Sequence, residues 1–175
     1  MLDDAKALLY SILDDLRDDI RAGIPVVGLE PSCVSVFRDE MRNLLGHDHD
    51  ASRLCGQTYL LTEFLHEKAP HYVLPKLPRK AVVHEHCHHK SVLQKDAEEK
   101  IFEAMELDVE RPDTGCCGMA GAFGFEKDHY EVSVQAGERV LLPNVREADE
   151  RTIVVADGFS CREQVAQLTT RQALH

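Results

Sequence analysis

The sequence predicts an α/β fold, a mostly parallel sheet flanked by helices, and three observations predict it. Short Val-rich apolar runs alternate along the chain with amphipathic segments of helical period. The stretch Ile24-Pro25-Val26-Val27-Gly28-Leu29-Glu30-Pro31-Ser32-Cys33 aligns with Thr152-Ile153-Val154-Val155-Ala156-Asp157-Gly158-Phe159-Ser160-Cys161 at an offset of 128 residues, the double Val and the Ser-Cys coinciding. An amphipathic segment precedes both copies. Finally, 175 residues that are 43% apolar and 29% charged suffice for one sizeable core or two small ones, and exclude fibrous or wholly disordered chains.

The elements follow in order. Ala5, Leu8, Leu9, Ile12, Leu13, Leu16 and Ile20 keep helical spacing over 3–20, with Asp3 or Asp4 as the expected cap and Gly23 and Pro25 as the stop. Residues 26–29 read as a short buried strand, followed by a turn at Glu30-Pro31. A helix over 34–45 shares a face of Phe37, Met41, Leu44 and Leu45 and stops at Gly46. His47-Asp48-His49-Asp50 reads as a polar turn, with Asp50 capping a helix from 51 to about 66. Pro70, Pro75 and Pro78 make 67–80 an extended connector. A strand over 81–84 continues as an extended His84-Glu85-His86-Cys87-His88-His89, which would put Cys87 opposite the even-numbered imidazoles. A helix over 92–105, a glycine-rich loop over 115–124, a helix over 129–142 ended by Pro143, a strand over 153–156 and a helix opened by Ser160-Cys161 complete the chain. The expected organisation is one and a half Rossmann-like cysteine-rich repeats. Residues 1–66 are the C-terminal half of a first repeat plus a helical extension, 67–80 the connector, and 81–175 a complete second repeat.

Charge narrows the partners. The formal net charge of −11 argues against nucleic acid and anionic membranes, and no apolar run reaches the roughly 18 residues of a spanning helix. The acidic Met1-Leu2-Asp3-Asp4 start is unlike a signal peptide, so the expected location is cytoplasmic. There, six cysteines point to metal or redox chemistry rather than to a disulfide framework.

Cys87, Cys116, Cys117 and Cys161 each follow a strand or sit in the glycine-rich loop. Loops beyond the carboxyl ends of parallel strands converge, so four thiolates are expected at one point. Four thiolates suit a [4Fe–4S] cluster or a structural zinc. Gly115 and Gly118 give the backbone the freedom to turn both vicinal cysteines inward. Buried thiols of an inert core are the competing reading, although Gly-Cys-Cys-Gly is an odd core element. His84, His86, His88 and His89 are candidate ligands or hydrogen-bond donors beside Cys87. His47 and His49 read as turn residues, Cys55 as a core thiol, and Cys33 as a counterpart of Cys161 whose partner cysteines are missing. Gly118, Gly121 and Gly124 lack the Lys-Ser of a phosphate loop, and neither a nucleophile elbow nor a flavin motif is present, so no catalytic residue is assigned.

Residues 84–164 resemble the cysteine-rich "CCG" domain of iron–sulfur oxidoreductases. Such domains occur in the B subunit of heterodisulfide reductase, the glycolate oxidase iron–sulfur subunit, the anaerobic glycerol-3-phosphate dehydrogenase C subunit and the C-terminal region of large FAD-linked oxidases of D-2-hydroxy acids. His86-Cys87-His88-His89-Lys90, Gly115-Cys116-Cys117-Gly118-Met119-Ala120-Gly121 and Asp157-Gly158-Phe159-Ser160-Cys161-Arg162-Glu163-Gln164 carry the likeness. It implies an iron–sulfur cluster on Cys87, Cys116, Cys117 and Cys161 that relays electrons from flavin to an acceptor. FAD and ferredoxin-like domains would lie outside this chain, which alone would lack dehydrogenase activity. The family pattern ends in Cys-x-x-Cys, whereas the last position here is Gln164, which removes a fifth thiolate. With the truncated first copy, the resemblance implies that Met1 is an internal methionine and the chain a fragment. Structural zinc, a metal-free thiol pair at Cys116 and Cys117, and a metal-free assembly domain are the alternatives.

Overall fold

Alternating helices and short strands build two units, Met1–Pro70 and His71–His175, in a computed structural model that describes residues 1–93 and 96–175. Each unit has its own small parallel sheet flanked by helices, so the chain is α/β as predicted.

In the first unit, α1 (Leu2–Ala22) buries Leu9, Leu13 and Ile20 against α4 (His49–Gln57). Gly23 stops α1 at φ 74°, where its N–H and that of Ile24 close back on the carbonyls of Ile20 and Asp19 at 3.1 and 3.0 Å. The N-cap of α1 is Met1 rather than Asp3 or Asp4; both acids lie in the first turn and face the positive end of the helix dipole. Strand β1 (Val26–Gly28) pairs in parallel with β2 (Thr58–Leu60), Val26 opposite Thr58. The predicted helix over 51–66 is therefore two helices, α4 and α5 (Leu61–Lys68), with β2 between them. The β-branched Thr58 and aromatic Tyr59 favour the pleated conformation, and the Thr58 hydroxyl donates to the Leu54 carbonyl at 2.7 Å as α4 ends. The cap of α4 is Asp48, which accepts from the N–H groups of Asp50 and Ala51. Asp50 instead meets Arg21 at 2.9 Å and Arg17 at 3.3 Å. The helix predicted over 34–45 starts earlier, as α2 (Pro31–Ser35), and passes through a π turn, Val36–Glu40, into α3 (Met41–Leu44). Leu9, Leu13, Ile20, Met41, Leu45, Ala51 and Leu54 form the core.

Residues 69–79 carry neither helix nor strand. In the second unit, β3 (Lys80–His84) lies between β4 (Asp108–Glu110) and β5 (Ile153–Ala156), and both pairings are parallel. Residues 81–84 are buried, which explains an uninterrupted apolar run before His84. Strand β4 went unpredicted because Val109 stands alone between Asp108 and Glu110. Helices α6 (Cys87–Val92) and α7 (Asp96–Ala104) connect β3 to β4. Helices α8 (Tyr130–Glu138) and α9 (Leu141–Glu147) lead to β5, and α10 (Phe159–Leu168) follows it.

Two expectations change here, and part of a third lies outside the described residues. The His-rich segment is not extended through His89: α6 begins at Cys87, because His86 caps it by accepting the His88 N–H at 3.2 Å. Gln94 and Lys95, inside the helix predicted over 92–105, lie outside the described residues. Pro143 does not end a helix but sits in the first turn of α9, where its missing N–H removes no intrahelical bond. Leu174 adds a parallel bridge beside β5, exchanging 2.8 Å bonds with Ala156 and Val154. The core here is Cys117, Met119, Leu141, Val145, Val154, Ala156, Cys161 and Val165. Among the described residues no helix is long and apolar enough to cross a membrane.

Candidate metal centre

Parallel pairing puts the carboxyl ends of β3, β4 and β5 on one edge of the second sheet, and each strand sends a cysteine-bearing segment from that edge. Cys87 is the first residue of α6 after β3, Cys116 and Cys117 lie in the loop after β4, and Cys161 lies in the first turn of α10 after β5. The structure brings the four thiols together. Cys87 interacts with Cys116, Cys116 with Cys117, and Cys117 with Cys161. The row runs from the surface inward, with Cys87 and Cys116 exposed and Cys117 and Cys161 in the core at 4% and 1% exposure.

The loop between them depends on glycine. Gly118 adopts φ +96°, and a Cβ there would stand 2.0 Å from the Ser133 carbonyl oxygen of α8. Its N–H donates to the Cys116 sulfur at 3.3 Å. A Cβ on Gly158 would meet the His86 ring at 2.2 Å and the Cys161 sulfur at 3.2 Å, so only glycine lets β3 and α10 approach this closely.

Crowding four thiols divides their protons unevenly. Hydrogen bonds from Cys117 and then Cys87, with the Gly118 N–H assisting against burial, hold Cys116 far below the ordinary thiol range. The thiol of Cys87 is pushed well up, first by its bond to Cys116 and then by burial, and that of Cys117 by its bonds to Cys116 and Cys161 and by burial. Cys161 drops to about 6, chiefly through Cys117 and then through the neighbouring His84. Along the row, the thiols pushed up, Cys87 and Cys117, thus alternate with those held down, Cys116 and Cys161.

His84, 1% exposed, lies with one ring nitrogen within 4.8 Å of the sulfurs of Cys117 and Cys161. Its Nδ1 is tied to Thr114 Oγ1 at 2.6 Å. His86, Cys87 and His88 form a second set of ligating atoms within 4.8 Å of one another, with the two rings stacked at 5.3 Å between centroids. His89, Glu98 and Asp157 form a third. There the His89 Nδ1 meets Asp157 at 2.9 Å, tying α6 to the segment between β5 and α10. Burial pushes the Glu98 carboxyl above its ordinary range, opposed by His89 and by Arg111, which it meets at 3.4 Å.

Gln164, at the position where the resemblance expects a fifth cysteine, is 2% exposed, and its Nε2 donates to the Ser133 carbonyl and hydroxyl at 3.1 and 3.2 Å. Cys33 is exposed on α2, in the other unit. Cys55, expected in the core, is half-buried and donates to the Arg38 carbonyl at 3.4 Å. His47 and His49 are exposed and join no ligating group among the described residues. Sequence reasoning missed Thr114 and Ser133, because neither carries a spacing signal; Asp157 was flagged only by standing beside Gly158 in the repeat.

Fold and site together define a class: an α/β protein with four converging thiols at the carboxyl edge of a parallel sheet. The chain is similar to D-2-hydroxyglutarate dehydrogenase of Pseudomonas putida, with 30% identity over 155 residues, covering 87% of this chain and 14% of that protein. It is also similar to the C subunit of the anaerobic glycerol-3-phosphate dehydrogenase of Escherichia coli, with 28% identity over 180 residues, covering 99% of this chain and 44% of that relative. The D-2-hydroxyglutarate dehydrogenase of Escherichia coli is 28% identical over 157 residues, 89% of this chain and 15% of that protein. The chain thus spans less than half the length of each of these relatives. No protein-family model and no solved structure matches it.

Proposed function

We propose that this chain is part of a larger oxidoreductase, and that its second unit holds an iron–sulfur cluster through Cys87, Cys116, Cys117 and Cys161. The convergence of these thiols from three separate segments carries the reading. The residues present fit the group: four soft sulfur donors, two of them held below the ordinary thiol range, beside a Gly118 N–H that donates to the Cys116 sulfur. When bound, a [4Fe–4S] cluster supplies one-electron transfer. Cys117 and Cys161 anchor the site in the core, Cys87 and Cys116 bring it to the surface, and Gly118 and Gly158 permit the close approach.

The names of the relatives support the wider reading. The whole enzyme oxidises a D-2-hydroxy acid at FAD, and electrons pass through ferredoxin-like domains and this centre to an acceptor, in the cytoplasm. Residues 1–66 are the C-terminal half of a first cysteine-rich repeat plus a helical extension, 67–80 the connector, and 81–175 a complete second repeat. A structural zinc on the same side chains is the second reading, favoured by the mixed nitrogen–sulfur corner of His84, Cys117 and Cys161. Purification without oxygen, with iron, sulfide and zinc counted and the visible spectrum recorded, separates the two. About four iron and four sulfide per chain with absorption near ~400 nm support the cluster. Stoichiometric zinc without colour supports the second reading. Neither metal, after reconstitution with reduced thiols, overturns both.

A further inference from the structure

We propose that His89, Glu98 and Asp157 form a second metal site, which takes a divalent cation of the Mn²⁺ or Fe²⁺ type. The site uses no thiol and does not depend on the cluster. Its residues come from three segments of the second unit: His89 from α6, Glu98 from the first turn of α7, and Asp157 from the turn between β5 and α10. One ligating atom from each lies within 4.8 Å of the others. Nitrogen and carboxylate donors at about 2.0–2.2 Å from a shared ion stand at most about 4.4 Å apart, so the observed span is close to that of a coordinated set.

The surroundings hold these donors in place. His89 and Glu98 are 3% and 7% exposed. Arg162 fixes the turn that bears Asp157, donating to the carbonyls of Ala156 and Asp157 at 3.0 and 2.7 Å. Asp157 Oδ2 meets the His89 ring at 2.9 Å, while Oδ1 is buried without a hydrogen-bond partner. A carboxylate oxygen left dry and unbonded is costly, and a cation satisfies it without any N–H donor. The local charges point the same way. Arg111 is divided between Glu98 at 3.4 Å and Glu85 at 3.6 Å, so one guanidinium does not cancel both. Burial, reinforced by the charge of Asp157, pushes the Glu98 carboxyl up against the pull of His89 and Arg111. A cation bound by both carboxylates turns their repulsion into attraction. The donor chemistry sets the class of ion. One imidazole and two carboxylates, without sulfur, suit Mn²⁺ or Fe²⁺, whereas the four thiols suit softer ions.

The test titrates the full, thiol-reduced chain, with no iron or sulfide added, with Mn²⁺ and reads the free ion by electron paramagnetic resonance. The wild-type chain should take up a single Mn²⁺. Asp157→Asn and Glu98→Gln should each weaken uptake by more than about tenfold, since a lost ligand costs more than a lost outer-shell partner. Circular dichroism checks that both variants keep the fold, and Cys87→Ser should bind Mn²⁺ as the wild type does. Pulsed measurements on the bound ion should show a coupled nitrogen that changes when histidine alone is 15N-labelled and is lost in His89→Gln. No uptake by the folded wild-type chain, uptake that survives both carboxylate variants, or a bound ion without histidine nitrogen overturns the proposal. So does uptake that Cys87→Ser abolishes and Asp157→Asn leaves intact, which puts the ion on the thiols. A chain that binds Mn²⁺ through these residues but assembles no iron–sulfur cluster overturns the function proposed above and leaves this inference standing.

Discussion

Replacing Gly118 by Ala should destabilise the second unit far more than the same change at Gly115, although both glycines have positive φ. The backbone term is shared: a left-handed conformation costs a residue with a Cβ about 1–2 kcal/mol. Gly115, at φ +63°, has nothing within 4 Å of the added carbon, so that term is all it loses. At Gly118 the carbon would stand 2.0 Å from the Ser133 oxygen and 2.9 Å from its carbonyl carbon, both backbone atoms. Reaching ordinary contact at 3.4 Å requires α8 to retreat by about 1.4 Å, from the difference between 3.4 and 2.0. Ser133 cannot retreat freely, because Gln164 grips it from α10. Overpacking of this kind adds about 1–3 kcal/mol, for a total of about 2–5 kcal/mol. At about 4–8 °C per kcal/mol for a unit of roughly a hundred residues, that lowers the unfolding temperature by about 8–40 °C, against about 4–16 °C for Gly115→Ala. Calorimetry of metal-free, thiol-reduced chains, with amide exchange at β3 and β5 to report on this unit, measures both. Equal losses at the two glycines would refute the close approach of the Cys-Cys loop to α8.

Cys87→Ser and Cys116→Ser alter exposed positions, so each should leave the metal-free unfolding free energy within about 0.5 kcal/mol while sharply lowering bound iron, whereas Cys33→Ser and Cys55→Ser should leave iron content unchanged; elemental analysis and urea titration decide. Gln164→Ala removes two buried hydrogen bonds and should cost about 2 kcal/mol in the same titration. Glu63→Ala strips a carboxylate that accepts from Arg38 at 2.6 Å and from the Leu60 N–H at 2.8 Å, and should cost the first unit about 3 kcal/mol, read by amide exchange in α4. Asp50 is held below the usual carboxylate range by its hydrogen bond to Arg21, against burial and with the charges of Arg21 and Arg17 adding. A depressed carboxylate contributes stability above its unfolded pKa and loses it as pH falls, so the first unit should weaken below about pH 4, and Asp50→Asn should flatten that loss in denaturation curves from pH 7 to 3.

The class of fold and the four thiols were legible because they rest on local signals: Val-rich runs at β3 and β5, and Cys-Cys between glycines. Elements with weak or mixed patterns were not. β2 hid inside an apparently helical stretch because Thr58 and Tyr59 fit either period until β1 supplies a pairing partner. β4 rests on Val109 alone, and only pairing with β3 makes it a strand. The start of α6 at Cys87 depends on His86 acting as a cap, a role imidazole seldom takes and composition does not announce. At the site, convergence was inferable from parallel topology. The Thr114 bond and the Ser133 grip on Gln164 were not, because each joins residues about thirty positions apart without any motif.

The aligned copies show what a shared motif leaves undecided. Cys33 and Cys161 both occupy the third residue of a helix that follows a parallel strand, α2 after β1 and α10 after β5. One is exposed and the other 1% exposed. The difference comes from what surrounds each helix start. β5 lies beside β3, so His84 and the Cys-Cys loop close over Cys161, and Gly158 removes the Cβ that would keep His86 away. β1 lies beside β2, which runs straight into α5 at Leu61, a helix without cysteine whose His66 sits in its last turn. Residue type and helix position are therefore the same in both, while only Cys161 has thiol neighbours to share its proton with. A Ser-Cys at a strand end meets other thiols through the neighbouring strand, and the sheet order decides which copy that is.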